Sequence, residues 1–259
     1  MTLRLNRVTY GAAGETPPLL IVHGLFGSAR NWGVIAKRLS DSRPVIAVDM
    51  RNHGESPWAD DHGYADLAAD LAQVIEEAGG RADVLGHSMG GKAAMILALS
   101  RPETVRKLVV ADIAPVAYAH SQTPLITAMR SLPLEGLTSR GEADKRLAEQ
   151  VDDAGTRAFL LQSLDLKSPG GPRWRLNLDV LQHQMDRITG WPDDVAGRFD
   201  GPALFLAGGT SDYVRPEARG RIKALFPAAV MAKIPGAGHW LHAEKPREFE
   251  AAVRTFLAA

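Results

Sequence analysis

The stretch that decides the fold is Gly86-His87-Ser88-Met89-Gly90-Gly91, which directly follows the apolar residues 82–85. It has the form G-x-S-x-G, which is typical of a nucleophile elbow, a sharp turn from a strand into a helix that exposes a serine hydroxyl. The positions two residues before and after the serine must be small, because larger side chains would collide in this strained turn. Residues 92–100 continue as a predicted helix. The pattern therefore predicts Ser88 as a nucleophile.

Short, continuous apolar runs surround this turn, at residues 19–22, 45–48, 82–85 and 108–111. Such runs are typical of strands that are buried on both faces of a parallel sheet. A helical pattern lies between the second and third runs, where Leu67, Leu71, Val74 and Ile75 fall on one face. Strands that alternate with helices predict an α/β fold with a mostly parallel, doubly wound sheet. Residues 2–10 are expected to add an edge strand.

The alternation stops after Asp112 and later resumes. Residues 114–198 are helical and polar in pattern, with several prolines, whereas 203–207 and 230–234 again read as strands and 216–226 and 249–257 as helices. The later strands could not form a stable sheet alone. We therefore predict one core domain, residues 1–113 and 199–259, with a helical cap inserted at 114–198.

Composition excludes several classes of function. The 30 Lys and Arg residues balance the 30 Asp and Glu residues, so net charge gives no reason to expect nucleic acid or an anionic membrane as a partner. The chain has no cysteine, which excludes disulfides and thiolate catalysis. No apolar run reaches the roughly 18 residues of a membrane span, and the N-terminus lacks the apolar core of a signal peptide. We expect a cytoplasmic protein without membrane insertion.

A serine needs a base, and the base needs a carboxylate that orients it. His239 is the predicted base, because its glycine-rich loop follows the last predicted strand at the sheet edge where ligands bind. His242 is the nearest rival. Of the other histidines, His87 is expected to pack beneath the elbow, and His62 and His120 are interpreted as solvent-facing. Two acids compete: Asp212 in a G-x-x-D turn, and Asp112 at the end of an earlier strand.

The loop His23-Gly24-Leu25-Phe26-Gly27 follows the first buried strand. Acyl transfer needs two backbone N–H donors for the oxyanion, one after the nucleophile and one from an early loop. Met89 and Leu25 are the predicted donors, with Phe26 as the alternative to Leu25. The polar residues 51–56 are interpreted as a hydrogen-bonded turn under the site. No metal-binding or nucleotide-binding motif is present, so no metal or cofactor is predicted.

Together these motifs resemble the α/β-hydrolase superfamily, and in particular the small bacterial esterases of the YbfF type. The quoted stretches are VHGLFGS at 22–28, GHSMGGK at 86–92, DIAPV at 112–116 and AGHW at 237–240. The resemblance implies hydrolysis of an ester or thioester through an acyl-enzyme, without a cofactor. The superfamily more commonly takes its acid from the later turn, which slightly favours Asp212. Relatives of this type often retain only the D-I-A-P aspartate, which favours Asp112.

We expect a serine esterase or thioesterase that acts on a small acyl substrate. The alternatives are a cofactor-free perhydrolase or carbon–carbon bond hydrolase on the same scaffold, and a ligand-binding receptor. For substrate binding we predict Trp174, Arg175 and Trp240. Arg130, Arg173 and Arg175 could receive an anionic acyl or coenzyme A group, or else pair with acids inside the cap.

Overall fold

A computed structural model describes residues 1–12, 14, 16–193 and 195–259. Its centre is a seven-stranded sheet in the order β1-β3-β2-β4-β5-β8-β9, in which only β1 runs antiparallel to its neighbour. The strands are β1 (Arg7–Tyr10), β2 (Leu19–Val22), β3 (Val45–Val48), β4 (Ala82–His87), β5 (Val105–Ala111), β8 (Ala203–Gly208) and β9 (Ala229–Ile234). The doubly wound, mostly parallel sheet that the sequence predicts is confirmed, with β1 as its edge strand.

Helices cover both faces of this sheet. They are α1 (Gly33–Leu39), α2 (Tyr64–Glu77), α3 (Met89–Ser100), α9 (Ala218–Leu225), α10 (Leu241–Glu244) and α11 (Pro246–Ala258). Successive strand residues point to opposite faces. In β2, Leu20 and Val22 pack into the core that contains α2 and α3, whereas Leu19 and Ile21 pack into the core that contains α1 and α11. This double burial explains why β2 is apolar throughout.

The described residues between β5 and β8 form five α-helices and a small second sheet. The helices are α4 (Thr123–Ser131), α5 (Arg140–Leu147), α6 (Ala154–Leu160), α7 (Leu178–His183) and α8 (Met185–Thr189), and the two short strands are β6 (Leu164–Asp165) and β7 (Arg173–Trp174). Side-chain caps begin three of the helices: Ser139 accepts from Glu142 N, Asp153 from Thr156 N and Asn177 from Val180 N. The sequence pattern did not predict β6 and β7.

The winding of the sheet determines where side chains can converge. The chain passes from β2 outward to β3, and then returns to β4 on the other side of β2. The carboxyl ends of β2 and β4 therefore flank the switch point of the sheet, where open α/β folds leave a crevice. The loop at 23–27 and Ser88 follow these two strands. Within the described residues, no helix has both the length and the apolar character needed to cross a membrane.

Candidate active site

Ser88 occupies the turn between β4 and α3 in a strained backbone conformation, with φ +52° and ψ −121°. The turn brings backbone segments so close that two glycines are required. A Cβ on Gly86 would lie 2.3 Å from Gly90 O, and one on Gly90 would lie 2.4 Å from His23 O. A Cβ on Gly91 would meet the Ile113 side chain at 2.6 Å. The small residues of the motif thus permit the tight turn and the close packing of α3.

His239 bridges Ser88 and Asp112. Its Nε2 lies 3.1 Å from Ser88 Oγ, and its Nδ1 lies 2.7 Å from Asp112 Oδ2. The imidazole is stacked on the Tyr213 ring at a centroid distance of 3.9 Å. The His239 carbonyl accepts a hydrogen bond from His87 Nε2 at 2.8 Å. The loop after β9 therefore holds the ring between a hydroxyl and a carboxylate, which is the arrangement of a nucleophile, its base and the orienting acid.

Asp112 is fully buried and its carboxylate is well supported. Oδ1 accepts the Gly208 N–H at 2.8 Å, and Oδ2 also accepts from the Ser211 hydroxyl. The residue has φ +50° and follows β5 directly, while its own N–H donates to Leu206 O at 2.9 Å. The turn after β8 thus contacts the acid through Gly208 and Ser211, and it does not supply the acid itself.

The structure corrects the slight preference for Asp212. This residue is exposed in the turn after β8, where its backbone carbonyl accepts from Arg215 Nε at 3.1 Å. It is Asp112 that contacts His239. In the sheet, β5 lies directly beside the strand that carries Ser88, whereas β8 is one strand further away. The rival histidine, His242, stacks on Trp32 at 4.1 Å, and burial lowers its pKa to about 3.

The two predicted oxyanion donors both line the cavity beside Ser88. Among the described residues, neither Leu25 N–H nor Met89 N–H has a hydrogen-bond acceptor, and Met89 begins α3, where the helix dipole favours negative charge. The alternative donor, Phe26 N–H, is already bonded to His53 Nε2 at 3.2 Å. The geometry therefore favours Leu25 over Phe26.

Two buried neutral histidines support this loop, a role that sequence reasoning missed. His53 donates from Nδ1 to Arg51 O at 2.9 Å and accepts from Phe26 N–H. His23 donates from Nδ1 to Gly24 O at 2.7 Å and accepts the Met50 N–H at 2.9 Å. Burial is the main cause that lowers the pKa of both rings, so each keeps the lone pair that its acceptor role needs. The sequence signal available for this role was the pair His-Gly after β2 and the triplet Asn-His-Gly after β3.

A cavity of about 240 Å³ opens onto Ser88 and His239. Trp240 lines it, as predicted, but Trp174 and Arg175 do not. Trp174 is buried and donates its indole N–H to Met129 O in α4 at 2.8 Å. Arg175 forms ion pairs with Glu55 at 2.8 Å and Asp165 at 3.0 Å. These two assignments are corrected: both side chains find their partners away from the cavity.

Cavity residues that the sequence pattern did not single out include Tyr64, Lys92, Tyr118, Phe159 and Tyr213. They come from α2, α3, the chain after β5, α6 and the turn after β8, so only folding brings them together. In the part of the chain that the structure describes, no cluster of histidine and acidic side chains is arranged to hold a metal ion.

Comparison with known proteins agrees with this geometry. Residues 19–252 match the model of the alpha/beta hydrolase family. The sn-1-specific diacylglycerol lipase ABHD11 of Mus musculus is 42% identical over 251 residues, which cover 93% of this chain and 81% of the relative. Esterase YbfF of Escherichia coli is 38% identical, with 99% of each chain covered. A solved marine microorganism esterase superposes with a TM-score of 0.93 at 38% identity, covering 98% of this chain and 100% of that one. The chain therefore belongs to the alpha/beta hydrolase family, as an enzyme of the esterase and lipase type.

Proposed function

We propose that the protein is a serine hydrolase that cleaves small acyl esters or thioesters through an acyl-enzyme. The observation that carries this proposal is the continuous contact from Asp112 to His239 to Ser88. Ser88 Oγ attacks the acyl carbonyl while His239 Nε2 takes its proton. The N–H groups of Leu25 and Met89 then stabilise the oxyanion. Asp112 keeps Nδ1 of the imidazole protonated, so that Nε2 is free to act as the base.

The second half of the reaction uses the same groups. Collapse of the tetrahedral intermediate expels the alcohol or thiol, which receives the proton from His239. Water then attacks the acyl-Ser88 carbonyl as His239 removes a proton, and a second collapse releases the acid and restores the serine hydroxyl. This proposed chemistry needs no metal or organic cofactor.

We further propose that residues 114–198 form a cap that shapes the substrate pocket and supplies no group of the triad. Residues from this segment that line the cavity include Tyr118, Leu125, Phe159 and Ile188, whereas Ser88, His239 and Asp112 come from 1–113 and 199–259. A cavity of about 240 Å³ suits a short acyl group. The names of the relatives, an esterase and a diacylglycerol lipase, are consistent with an ester substrate. A cytoplasmic location stays a prediction.

The test is hydrolysis of p-nitrophenyl acetate and butyrate by the wild type and by Ser88→Ala. We expect kcat/KM to fall by about 10³-fold or more, because only binding and the oxyanion donors remain. The matched control is Ser100→Ala, at the other end of α3, where the hydroxyl donates only to carbonyls of its own helix. Labelling by a fluorophosphonate should require Ser88. A Ser88→Ala variant that keeps more than about a tenth of the wild-type rate contradicts the proposal.

A further inference from the structure

Lys92 lies one helical turn after Ser88 in α3, and its side chain is almost completely buried, at 1% exposure. Nζ donates to the carbonyls of Thr189 at 2.9 Å and Gly190 at 2.5 Å. It also lies over two aromatic rings, 4.8 Å from the centroid of Tyr118 and 5.7 Å from that of Tyr64. Lys92, both tyrosines and Thr189 all line the cavity that opens onto Ser88. The amine is therefore part of the substrate pocket.

This cation has no carboxylate beside it among the described residues. Burial alone lowers the pKa of Lys92 to about 7, and no acidic group opposes that shift. The residues that line the cavity include no aspartate or glutamate; Lys92 and several histidines are their only basic side chains. A buried ammonium without a counter-charge is costly. The pocket thus lacks a negative charge that would balance the Lys92 ammonium.

The two carbonyl contacts of Lys92 do not by themselves show that this pocket needs a bound anion. Lys107 has the same arrangement elsewhere: its Nζ donates to Phe256 O at 3.2 Å and Leu257 O at 2.9 Å, near the end of α11. Lys107 does not line the catalytic cavity. An ammonium has three N–H donors, so two carbonyls leave Lys92 with a third. The two lysines differ in that Lys92 lines the catalytic cavity, and its third N–H has no acceptor there among the described residues.

We propose that Lys92 determines substrate specificity by binding a carboxylate at the far end of the acyl group, so that half esters of short dicarboxylic acids are preferred substrates. The inference rests on the proposed esterase function and names the class of acyl group. A carboxylate would supply the missing counter-charge and accept the third N–H in a charge-assisted hydrogen bond. The surrounding rings of Tyr64 and Tyr118 exclude water, which strengthens that attraction.

The experiment compares two methyl esters of similar shape, monomethyl glutarate and methyl 5-methylhexanoate, in which an isopropyl group replaces the carboxylate. Methanol release gives kcat/KM for each, and the ratio of the two values is the readout. We expect the wild type to favour the half ester by roughly 10- to 100-fold, which is the worth of one hydrogen bond to a charged group. Succinate and adipate half esters test the length of the acyl group in the same way.

Lys92→Met and Lys92→Gln should both lose this preference, because the glutamine can still donate to the two carbonyls but carries no charge. Lys107→Met is the matched control and should keep the wild-type ratio. Loss of the ratio in Lys107→Met to the same extent would overturn the proposal, since it would trace the effect to the fold. Retention of the ratio in a folded Lys92→Met variant would overturn it as well.

The wild type provides a readout that does not depend on any variant. The ratio should fall as the pH rises through about 7, where Lys92 loses its proton. Among the described residues, the titratable groups that face Lys92 include Tyr64, Tyr118 and His120; burial raises the pKa of both tyrosines and lowers that of His120, so each shift favours the neutral form.

A wild-type enzyme that hydrolyses the neutral ester but shows no preference for any half ester at pH 6 would overturn the proposal about Lys92. Failure to hydrolyse any ester, together with absent fluorophosphonate labelling of Ser88, would count against the proposed esterase function instead.

Discussion

At the scale of single residues, the hydrogen bond from His239 Nδ1 to Asp112 determines which ring nitrogen of the imidazole carries the proton. Asp112→Asn should lower kcat by about 10³- to 10⁴-fold, because an amide at this position favours the wrong tautomer of His239. Asp212→Asn is the matched control and should change kcat little, since Asp212 is exposed and apart from the ring. Steady-state kinetics on p-nitrophenyl butyrate checks both. Equal losses in the two variants would contradict a single acid.

His239, in the loop after β9, and His242, in α10, differ in what they contact. His239→Ala should abolish turnover, because the base is removed. His242→Ala should mainly lower stability, because this ring stacks on Trp32 at 4.1 Å and does not contact Ser88. The melting temperature and kcat separate the two effects. An active His239→Ala variant beside an inactive but folded His242→Ala variant would reverse the assignment.

At the scale of elements, the loop that carries Leu25 is held at one residue, Phe26, through both of its backbone polar groups. Phe26 has φ +64°; its N–H is bound by His53 Nε2 at 3.2 Å and its carbonyl by the Ser163 hydroxyl at 2.8 Å. Ser163 belongs to the inserted segment, between α6 and β6. The segment therefore reaches the predicted oxyanion loop as well as the pocket.

Ser163→Ala and His53→Ala should lower kcat more than they change KM, since a displaced Leu25 N–H stabilises the transition state less well. Loss of one bond at a buried peptide costs about 1–3 kcal/mol, which corresponds to roughly 5- to 150-fold in rate if all of it is felt in the transition state. Ser131→Ala is the control, because that hydroxyl bonds only to Ala128 and Gln150 in the same segment. An effect on KM alone would contradict the positioning role.

Phe159 of α6 contacts Trp240 at a ring distance of 5.5 Å, and both line the cavity. Phe159→Ala should raise the relative kcat/KM for longer acyl chains, because it removes a wall of the pocket without touching Ser88 or His239. Trp58→Ala, at an exposed position outside the cavity, serves as the control. Unchanged ranking of acetate, butyrate and octanoate esters would contradict a cap that sets specificity.

At the scale of the whole molecule, several histidines are buried in the neutral state. Burial is the main cause that lowers the pKa of His62 and of His242 to about 3, and it also lowers the pKa of His23, His53 and His87. In the unfolded chain these groups titrate near 6.5, so between pH 6.5 and 3 the unfolded state binds more protons than the folded state. Acid therefore favours unfolding in that window.

Urea unfolding should accordingly give a lower free energy of unfolding at pH 5 than at pH 7.5, with roughly 1.4 kcal/mol for each pH unit below 6.5 from each of His62 and His242, whose pKa values lie near 3. His62→Asn should reduce this pH dependence, whatever it does to stability at pH 7.5. His183→Asn, on the exposed side of α7, is the matched control. A stability that is flat from pH 7.5 to 5 would contradict the neutral, buried state of these rings.

Local patterns in the sequence were sufficient to predict the sheet, the turn at Ser88 and the loop that carries His239. Strands β2 and β3 are buried on both faces and consist of apolar residues only, and the strained turn needs glycine at Gly86 and Gly90. Both features depend on residues that are neighbours in the sequence. His62 was misread as solvent-facing, because its polar neighbours resemble an exposed loop, yet it is buried with its Nε2 3.3 Å from Met89 Sδ.

Only the tertiary structure decided which acid meets His239 and which side chains line the pocket. Asp112 and Asp212 both follow strands at the same edge of the sheet, so spacing cannot separate them. The separation comes from the order β4-β5-β8-β9 and from the backbone at Asp112, with φ +50°, which are long-range and conformational facts. The partners of Trp174 and Arg175, and the carbonyls of Thr189 and Gly190 that bind Lys92, are likewise brought into contact only by the fold.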